Sequence, residues 1–131
     1  MVFSGVPLSA GPHSLRDLHR AGGGLTRGGA GQPRALVGGH LVATLVGFVV
    51  LRLAGPQAWA AAAAVGLAVL AMYLAGTFHP PAGINPLLVV SGSLPWSFLV
   101  APVLAGALSL TVFAYLWHRL ILGRPWPLRW L

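Results

Sequence analysis

Only two charged residues, Arg52 and Arg119, lie between residues 35 and 122 of this 131-residue chain. Charged residues make up 7% of the whole sequence and apolar residues 56%, whereas about 25% of the residues in a typical soluble domain are charged. Such a chain cannot cover a water-facing surface with polar side chains. The sequence therefore predicts an integral membrane protein of the all-α class, a polytopic bundle of helices.

Three of the apolar runs are long enough for a helix to cross a membrane core of ~30 Å. The sequence predicts a flexible Arg- and Gly-rich tail at 1–34, a transmembrane domain at 35–122 with spans at about 35–53, 57–78 and 96–122, and a basic tail at 123–131. The five tryptophans fall at or beyond the ends of these spans, as in interfacial aromatic belts; they are Trp59, Trp96, Trp117, Trp126 and Trp130.

Small residues recur every four positions in each span, which lets neighbouring helix backbones approach closely. They are Gly39, Ala43 and Gly47 in the first span, Ala60, Ala64 and Ala68 in the second, and Ala101, Ala105 and Ser109 in the third. We expect these stripes to pack against other helices.

All eight basic residues are arginines, and they flank the spans, which indicates membrane anchoring and not a nucleic-acid partner. With three spans the two termini lie on opposite sides of the membrane. Four arginines then fall on each side: Arg16, Arg20, Arg27 and Arg34 on one, and Arg52, Arg119, Arg124 and Arg129 on the other. Basic residues normally concentrate on the cytoplasmic side, so this equal division raises the question of whether the chain is a complete natural unit.

The second span ends in a polar, proline-rich octapeptide, residues 79–86, with the sequence His-Pro-Pro-Ala-Gly-Ile-Asn-Pro. Irregular backbone at membrane depth persists only where protein or a water-filled cavity covers it, and transporters often build their sites at such breaks. The apolar residues 86–92 that follow are too few to cross the membrane. They are predicted to form a short re-entrant half-helix or a segment lying in the interface.

Antiparallel spans bring the start of the first helix and the end of the second to one membrane face. We therefore predict a solute-binding or pathway site on that face, formed by Arg34, His40, His79, Pro80, Pro81 and Asn85. Arginine supplies a fixed positive charge, histidine titrates near neutral pH, and asparagine both donates and accepts hydrogen bonds. These groups suit a small anion. The alternative is structural, with Arg34 as an anchor, His40 bonded to a backbone carbonyl and His79 capping exposed carbonyls.

Metal, haem and hydrolytic chemistry lack their usual residues. No cysteine is present, and the single carboxylate, Asp17, lies in the N-terminal tail, so no Ser-His-Asp arrangement can be assembled. A His40–His79 pair invites a metal or haem interpretation, but Pro80 disrupts the helix that would hold an axial ligand. We expect no enzyme activity, no metal and no cofactor. His118 is predicted on the opposite face.

At these residues the sequence resembles the HPP family of integral membrane proteins, named for its His-Pro-Pro motif. The similarity covers roughly residue 32 to the C-terminus. It rests on His79-Pro80-Pro81-Ala82-Gly83 with Asn85-Pro86-Leu87-Leu88, on Gln32-Pro33-Arg34 with Gly38-Gly39-His40, and on the segments around Gly55-Pro56, Trp59-Ala60 and 64–68.

The resemblance implies a four-helix membrane fold, and plant and cyanobacterial members of the family are regarded as nitrite transporters. Family members carry a further hydrophobic helix and a Phe-Gly-Ala-Ser-like segment before the Gln-Pro-Arg motif. Residues 1–31 have neither, so the chain is expected to be shortened at its N-terminus relative to the family.

The leading interpretation is thus a membrane transporter of a small solute such as a nitrite-like anion, acting as a homo-oligomer because three spans are too few to enclose a pore. The alternative is a non-transporting accessory subunit or an inactive truncated fragment. The expected location is a bacterial inner (plasma) membrane, and the expected partner is the lipid bilayer.

Overall fold

The computed structural model describes residues 29–127, and all regular structure in this range is helical. The predicted all-α class is therefore confirmed. The described chain begins with a 3₁₀ turn at Gly29–Gly31 and continues through the helices α1 (Pro33–Ala54), α2 (Ala58–Leu74), α3 (Ile84–Gly92) and α4 (Leu99–Ile121), with a second 3₁₀ turn, Pro80–Gly83, leading into α3.

Helix α1 is the central element, because it packs against all three other helices. Pro33 occupies its first turn, where a missing N–H and a fixed φ favour helix initiation. Gly55 ends it with a φ of 71° and donates its N–H to the Leu51 carbonyl at 3.0 Å. The 22 residues extend about 33 Å, enough to cross a membrane. The predicted tail at 1–34 thus ends in ordered structure, whereas residues 1–28 lie outside the described range.

Helix α2 ends earlier than the predicted span of 57–78. Its 17 residues extend about 25 Å, and the chain then turns at Gly76, which has a φ of 64°. The Thr77 N–H bonds back to the Met72 carbonyl at 2.9 Å. A left-handed glycine near a helix end is a common stop signal. The helix therefore breaks before the His-Pro-Pro motif is reached.

Helix α3 runs parallel to α1 and antiparallel to α2. Asn85, in its first turn, contacts Thr44 of α1, whereas Val90, near its end, packs in a cluster with Val50 of α1 and Ala60, Ala61 and Ala64 of α2. We call the end of the bundle where α1 begins and α2 ends the proximal end, and the opposite end the distal end. The chain enters the bundle from the proximal end and leaves α3 at the distal end.

The loop before α3 and the helix itself therefore cross the bundle together. His40 lies seven residues after Pro33, about 10 Å along α1, and α3 extends about 13 Å beyond that depth. The segment after the motif is consequently not a surface linker. Its buried side chains, among them Pro86, Val89 and Val90, pack inside the bundle. A short half-helix is therefore present, as predicted, and its course through a membrane stays a prediction.

Helix α4 packs along α1 through both Leu99–Leu104 and Ala105–Leu116. Since the chain leaves α3 at the distal end, and Trp96 stacks on Phe48 with ring centroids 4.1 Å apart, α4 must run back toward the proximal end. By length and composition, only α1 and α4 among the described helices are long and apolar enough to cross a membrane alone. We therefore expect four crossing segments in place of the three predicted spans, with both ends of the described chain at the proximal end.

The predicted small-residue stripes pack in two helices of three. Gly39, Ala43 and Gly47 on α1 are buried, as are Ala60, Ala64 and Ala68 on α2. A Cβ at Gly47 would lie 2.8 Å from the Cα of Pro86, so this glycine allows α3 to approach α1. The prediction is wrong for α4, where Ala101, Ala105 and Ser109 are exposed and Val103 and Ala107 are buried instead.

The tryptophans follow the predicted pattern only in part. Trp59, Trp96 and Trp117 are exposed, as expected for side chains in a membrane interface. Trp126 is buried and stacks on His118, with ring centroids 5.5 Å apart. This contact folds the chain after α4 back onto the helix end. Trp130 lies outside the described residues.

Candidate functional site

The polar cluster lies inside the bundle near its proximal end. Helix α1 contributes His40 and, one turn later on the same face, Thr44. The loop between α2 and α3 contributes His79, and the first turn of α3 contributes Asn85. Three elements distant in sequence therefore meet at one depth, about 10–16 Å along α1. Ionisable and polar side chains at such depth are costly and usually mark a function.

The two predicted histidines are neighbours. Their ring centroids lie 5.2 Å apart, with an interplanar angle of 55°. A glycine at position 39 makes this approach possible, because a Cβ there would lie 2.7 Å from both the His79 Cβ and the Thr77 carbonyl oxygen. The two adjacent glycines before His40, Gly38 and Gly39, thus allow the loop between α2 and α3 to pack against α1.

His79 bonds to a backbone carbonyl, which is the kind of contact that the structural alternative proposed. Its Nδ1 lies 2.9 Å from the carbonyl oxygen of Ala30. Because a carbonyl oxygen only accepts, Nδ1 must carry the proton and donate. The bond joins the His-Pro-Pro loop to the turn that precedes α1, so the two segments are held together over the proximal end of the cluster.

Asn85 is the most completely buried of the predicted site residues, with 5% of its surface exposed. Its amide nitrogen lies 2.9 Å from the Thr44 hydroxyl oxygen and 3.0 Å from Nδ1 of His40. His40 therefore bonds to the Asn85 side chain through its ring, in contrast to the backbone carbonyl of the structural alternative. The hydroxyl of Thr44 in turn donates to the His40 carbonyl at 2.6 Å. His40, Thr44 and Asn85 thus form one connected network, and the His79 ring lies beside it.

Arg34 lies at the proximal end but outside this network. Its side chain is exposed and donates to the Ala75 carbonyl at 3.3 Å, where α2 has just ended. A cation favours the negative end of the helix dipole, so the contact stabilises the end of α2. Within residues 29–127 no contact joins Arg34 to either imidazole. The structure thus places Arg34 beside the predicted site rather than in it.

Pro80 and Pro81 are exposed and shape the loop. They open the 3₁₀ turn Pro80–Gly83, and the Ala82 N–H closes it by bonding to the His79 carbonyl at 3.0 Å. The prolines have no N–H to leave unpaired at membrane depth. Their part in the site is to set the backbone between His79 and Asn85.

Two threonines of the site were not predicted from the sequence. Thr44 follows His40 by four residues, which places both on one face of α1, and this spacing is a signal that could have been used. Thr77 is 7% exposed, and its hydroxyl has no hydrogen-bond partner among the described residues. No pattern in the sequence marks Thr77, because its burial depends on the close approach of the loop to Gly38.

Replacing Thr77 with valine is expected to stabilise the protein by about 1 kcal/mol, because an unpaired buried hydroxyl costs about 1–3 kcal/mol and valine has a similar shape. Thermal unfolding in detergent micelles measures the change. Thr77→Ser, which keeps the hydroxyl and loses a methyl group packed near Gly38, serves as the control and should destabilise. A loss of stability in Thr77→Val would mean that the hydroxyl has a partner at this position.

The fold and the polar cluster define a polytopic α-helical membrane protein with a site built around a break in its helices. The sequence profile of the family described as "HPP, transmembrane region" matches residues 24–127. The chain belongs to this HPP family, and its integral membrane character follows from the family and from the apolar helices.

Two relatives, both described as transmembrane proteins of Dictyostelium discoideum, are similar over most of this chain. One is 32% identical over 115 residues, which is 82% of this chain and 40% of the relative. The other is 33% identical over 107 residues, 76% of this chain and 34% of the relative. The chain therefore spans less than half the length of these relatives. No solved structure gives a significant match.

Proposed function

We propose that this chain takes part in moving a small polar solute, an anion of the nitrite type, across the membrane, and that His40, His79 and Asn85 lie on the path. The observation that carries the proposal is the position of the cluster. Two imidazoles and a buried amide meet where the chain between α2 and α3 is not a regular helix. Non-helical backbone at membrane depth is tolerated where protein or a water-filled cavity covers it.

The chemistry of the cluster supports a solute that accepts hydrogen bonds. The cluster contains N–H groups and hydroxyls but no carboxylate, and the single acid of the chain, Asp17, precedes α1 by more than a dozen residues. A cation would meet no opposite charge in this network, whereas an anion would meet the N–H donor that His40 presents at Nε2. A binding role without catalysis, and so without enzyme activity, suits these groups best.

The helices of one chain are too few to surround a solute pathway on all sides. Helix α1 lies at the centre, and α4 contacts it along one side only, so most side chains of α4 are exposed. We therefore place the pathway in a homo-oligomer, in which further helices from other copies would cover the open side. In a membrane these contacts would depend on close packing rather than on the hydrophobic effect.

Flux through liposomes tests the proposal. Purified full-length chain is reconstituted, and efflux of entrapped nitrite is followed colorimetrically. His79→Ala is expected to slow efflux by up to about tenfold, because it removes the hydrogen bond to the Ala30 carbonyl that holds the loop beside His40, and such a bond contributes about 0.5–1.5 kcal/mol. His118→Ala is the matched control, because His118 bonds to its own helix at the Ala114 carbonyl and stacks on Trp126; its rate should stay within about twofold.

Two results would contradict the proposal: efflux no faster than from protein-free liposomes, or equal rates for His79→Ala and the unchanged protein. Either would favour the accessory role that the sequence left open. Cross-linking in the same liposomes reports the oligomeric state independently, and a strictly monomeric protein that moves nitrite would overturn the oligomer part alone.

A further inference from the structure

The hydrogen bonds of Asn85 determine which of its two amide atoms faces α1. The Thr44 hydroxyl has a single proton, and at 2.6 Å it donates that proton to the His40 carbonyl. Its oxygen can then only accept from Asn85, which lies 2.9 Å away. An amide oxygen at that position would face the Thr44 hydroxyl oxygen with no proton between the two atoms. The amide nitrogen must therefore point toward α1.

The orientation of Asn85 fixes the proton on the neighbouring ring. The same amide nitrogen lies 3.0 Å from Nδ1 of His40, and an amide nitrogen only donates. Nδ1 must therefore accept, which leaves the ring proton on Nε2. Protonating Nδ1 as well would place two N–H groups against each other inside the bundle. His40 is held as the neutral imidazole with its proton on Nε2.

The arrangement around His79 is the reverse. Its Nδ1 faces the Ala30 carbonyl and so carries a proton. The two adjacent rings thus use Nδ1 in opposite ways. Nδ1 of His40 accepts a hydrogen bond, and Nδ1 of His79 donates one. The nitrogen that each ring leaves for a solute is Nε2, which on His40 carries a hydrogen-bond donor.

We propose that Thr44 and Asn85 are positioning residues that lock His40 in the Nε2–H form, so that the ring offers an N–H donor inside the membrane without carrying a charge. Thr44 acts through Asn85, because its hydroxyl oxygen accepts at 2.9 Å the shorter of the two bonds to oxygen that orient the amide nitrogen; the other bond, to the His40 carbonyl, is 3.4 Å long. A neutral donor selects solutes with hydrogen-bond acceptors, such as small oxyanions. This consequence for the solute rests on the proposed function, whereas the lock itself does not.

Nitrogen NMR tests the lock directly. The full-length chain is labelled with ¹⁵N-histidine, reconstituted in lipid bilayers and measured at a pH where free imidazole is neutral. The His40 signals are identified by their loss in His40→Gln. Protonated and unprotonated ring nitrogens resonate far apart, so the spectrum distinguishes the two tautomers. His40 is expected to show a protonated Nε2 and an unprotonated Nδ1.

Two substitutions should move the proton and one should not. Asn85→Asp places a carboxylate against Nδ1, which must then be protonated to donate. Thr44→Val removes the closer oxygen acceptor of the amide and leaves only the longer bond to the His40 carbonyl at 3.4 Å, so a fraction of the Nδ1–H form should appear. Thr44→Ser keeps the hydroxyl and should retain the unchanged spectrum. If Thr44 served packing alone, Thr44→Val and Thr44→Ser would show the same tautomer of His40.

A protonated Nδ1 in the unchanged protein, or an unaltered His40 spectrum in Asn85→Asp, would overturn the lock. If Thr44→Val or Asn85→Asp fails to fold, the spectrum of the unchanged protein still decides the tautomer. The lock and the transport proposal also fail separately. An Nε2–H tautomer in a protein that moves no nitrite contradicts transport alone, and nitrite flux with the Nδ1–H form contradicts the lock alone.

Discussion

A cysteine at Ser93 is expected to react with a membrane-impermeant maleimide from the same side as a cysteine at Gln57, and from the opposite side to one at Ala75. The chain has no cysteine of its own, so each single substitution reports one position. All three residues are exposed and lie outside the central parts of the helices. The expected result is all-or-none, because an impermeant reagent cannot cross the bilayer.

The reason is the direction of α3. Gln57 lies at the distal end, before α2, and Ala75 lies at the proximal end, after α2. Ser93 follows α3, which packs its last turn against the distal parts of α1 and α2. A re-entrant segment would instead return Ser93 to the side of Ala75. Labelling of Ser93→Cys and Ala75→Cys from one side would therefore restore the three-span topology and contradict the four crossing segments.

The same experiment gives the orientation in the membrane. With four crossing segments, Arg52 lies at the distal end, and the other arginines of the described range, Arg34, Arg119 and Arg124, flank the proximal end. Basic residues concentrate on the cytoplasmic side. We expect Gln57→Cys and Ser93→Cys to react in intact cells, and Ala75→Cys only after permeabilisation.

The sequence predicted those features that depend on local chemistry. The first span was predicted at about 35–53, and α1 runs from Pro33 to Ala54, because proline suits a first helical turn and glycine, here Gly55, suits a left-handed stop. The pairing of His40 with His79 followed from antiparallel connectivity alone, since the end of one helix must lie beside the start of the previous one. Asn85 joined them because it follows His79 so closely in sequence.

The direction of α3 could not be predicted, because hydropathy does not distinguish a nine-residue helix that completes a crossing from one that returns. The direction of α3 depends on two contacts. Gly47 has no side chain and so leaves room for Pro86, and Val90 packs against alanines at the start of α2. The three-span assumption produced the equal division of arginines and placed His118 on the face opposite to His79. Both expectations depend on the direction of this one helix.

The small-residue stripe of α4 failed for a related reason. Alanine and serine at four-residue spacing permit close packing but do not supply a partner. Ala105 and Ser109 are exposed, whereas Val103 and Ala107 are buried. Thr44 was missed because a threonine inside a helix commonly bonds to its own backbone. Only the approach of Asn85 gives this hydroxyl a second role.

Gly39→Ala is expected to lower the free energy of unfolding by about 2 kcal/mol or more, and Gly66→Ala to raise it by about 0.5–1 kcal/mol. Both glycines lie within helices, where alanine is intrinsically favoured by about 1 kcal/mol. At Gly66 nothing lies within 4 Å of the added Cβ, whereas at Gly39 the Cβ meets the Thr77 carbonyl and the His79 Cβ, each at 2.7 Å.

These neighbours cannot move separately, which makes the expected cost at position 39 large. Thr77 and His79 belong to one loop, held at Met72 on one side and at Ala30 on the other, so relief of the overlap must displace the whole loop from α1. Overpacking of this kind costs about 1–3 kcal/mol and sometimes more. Reversible unfolding in mixed micelles compares the two variants, and equal stabilisation by both would show that the loop does not lie against Gly39. Displacement would also separate the two imidazoles, so Gly39→Ala should reduce nitrite efflux as His79→Ala does, while leaving every polar side chain of the cluster in place.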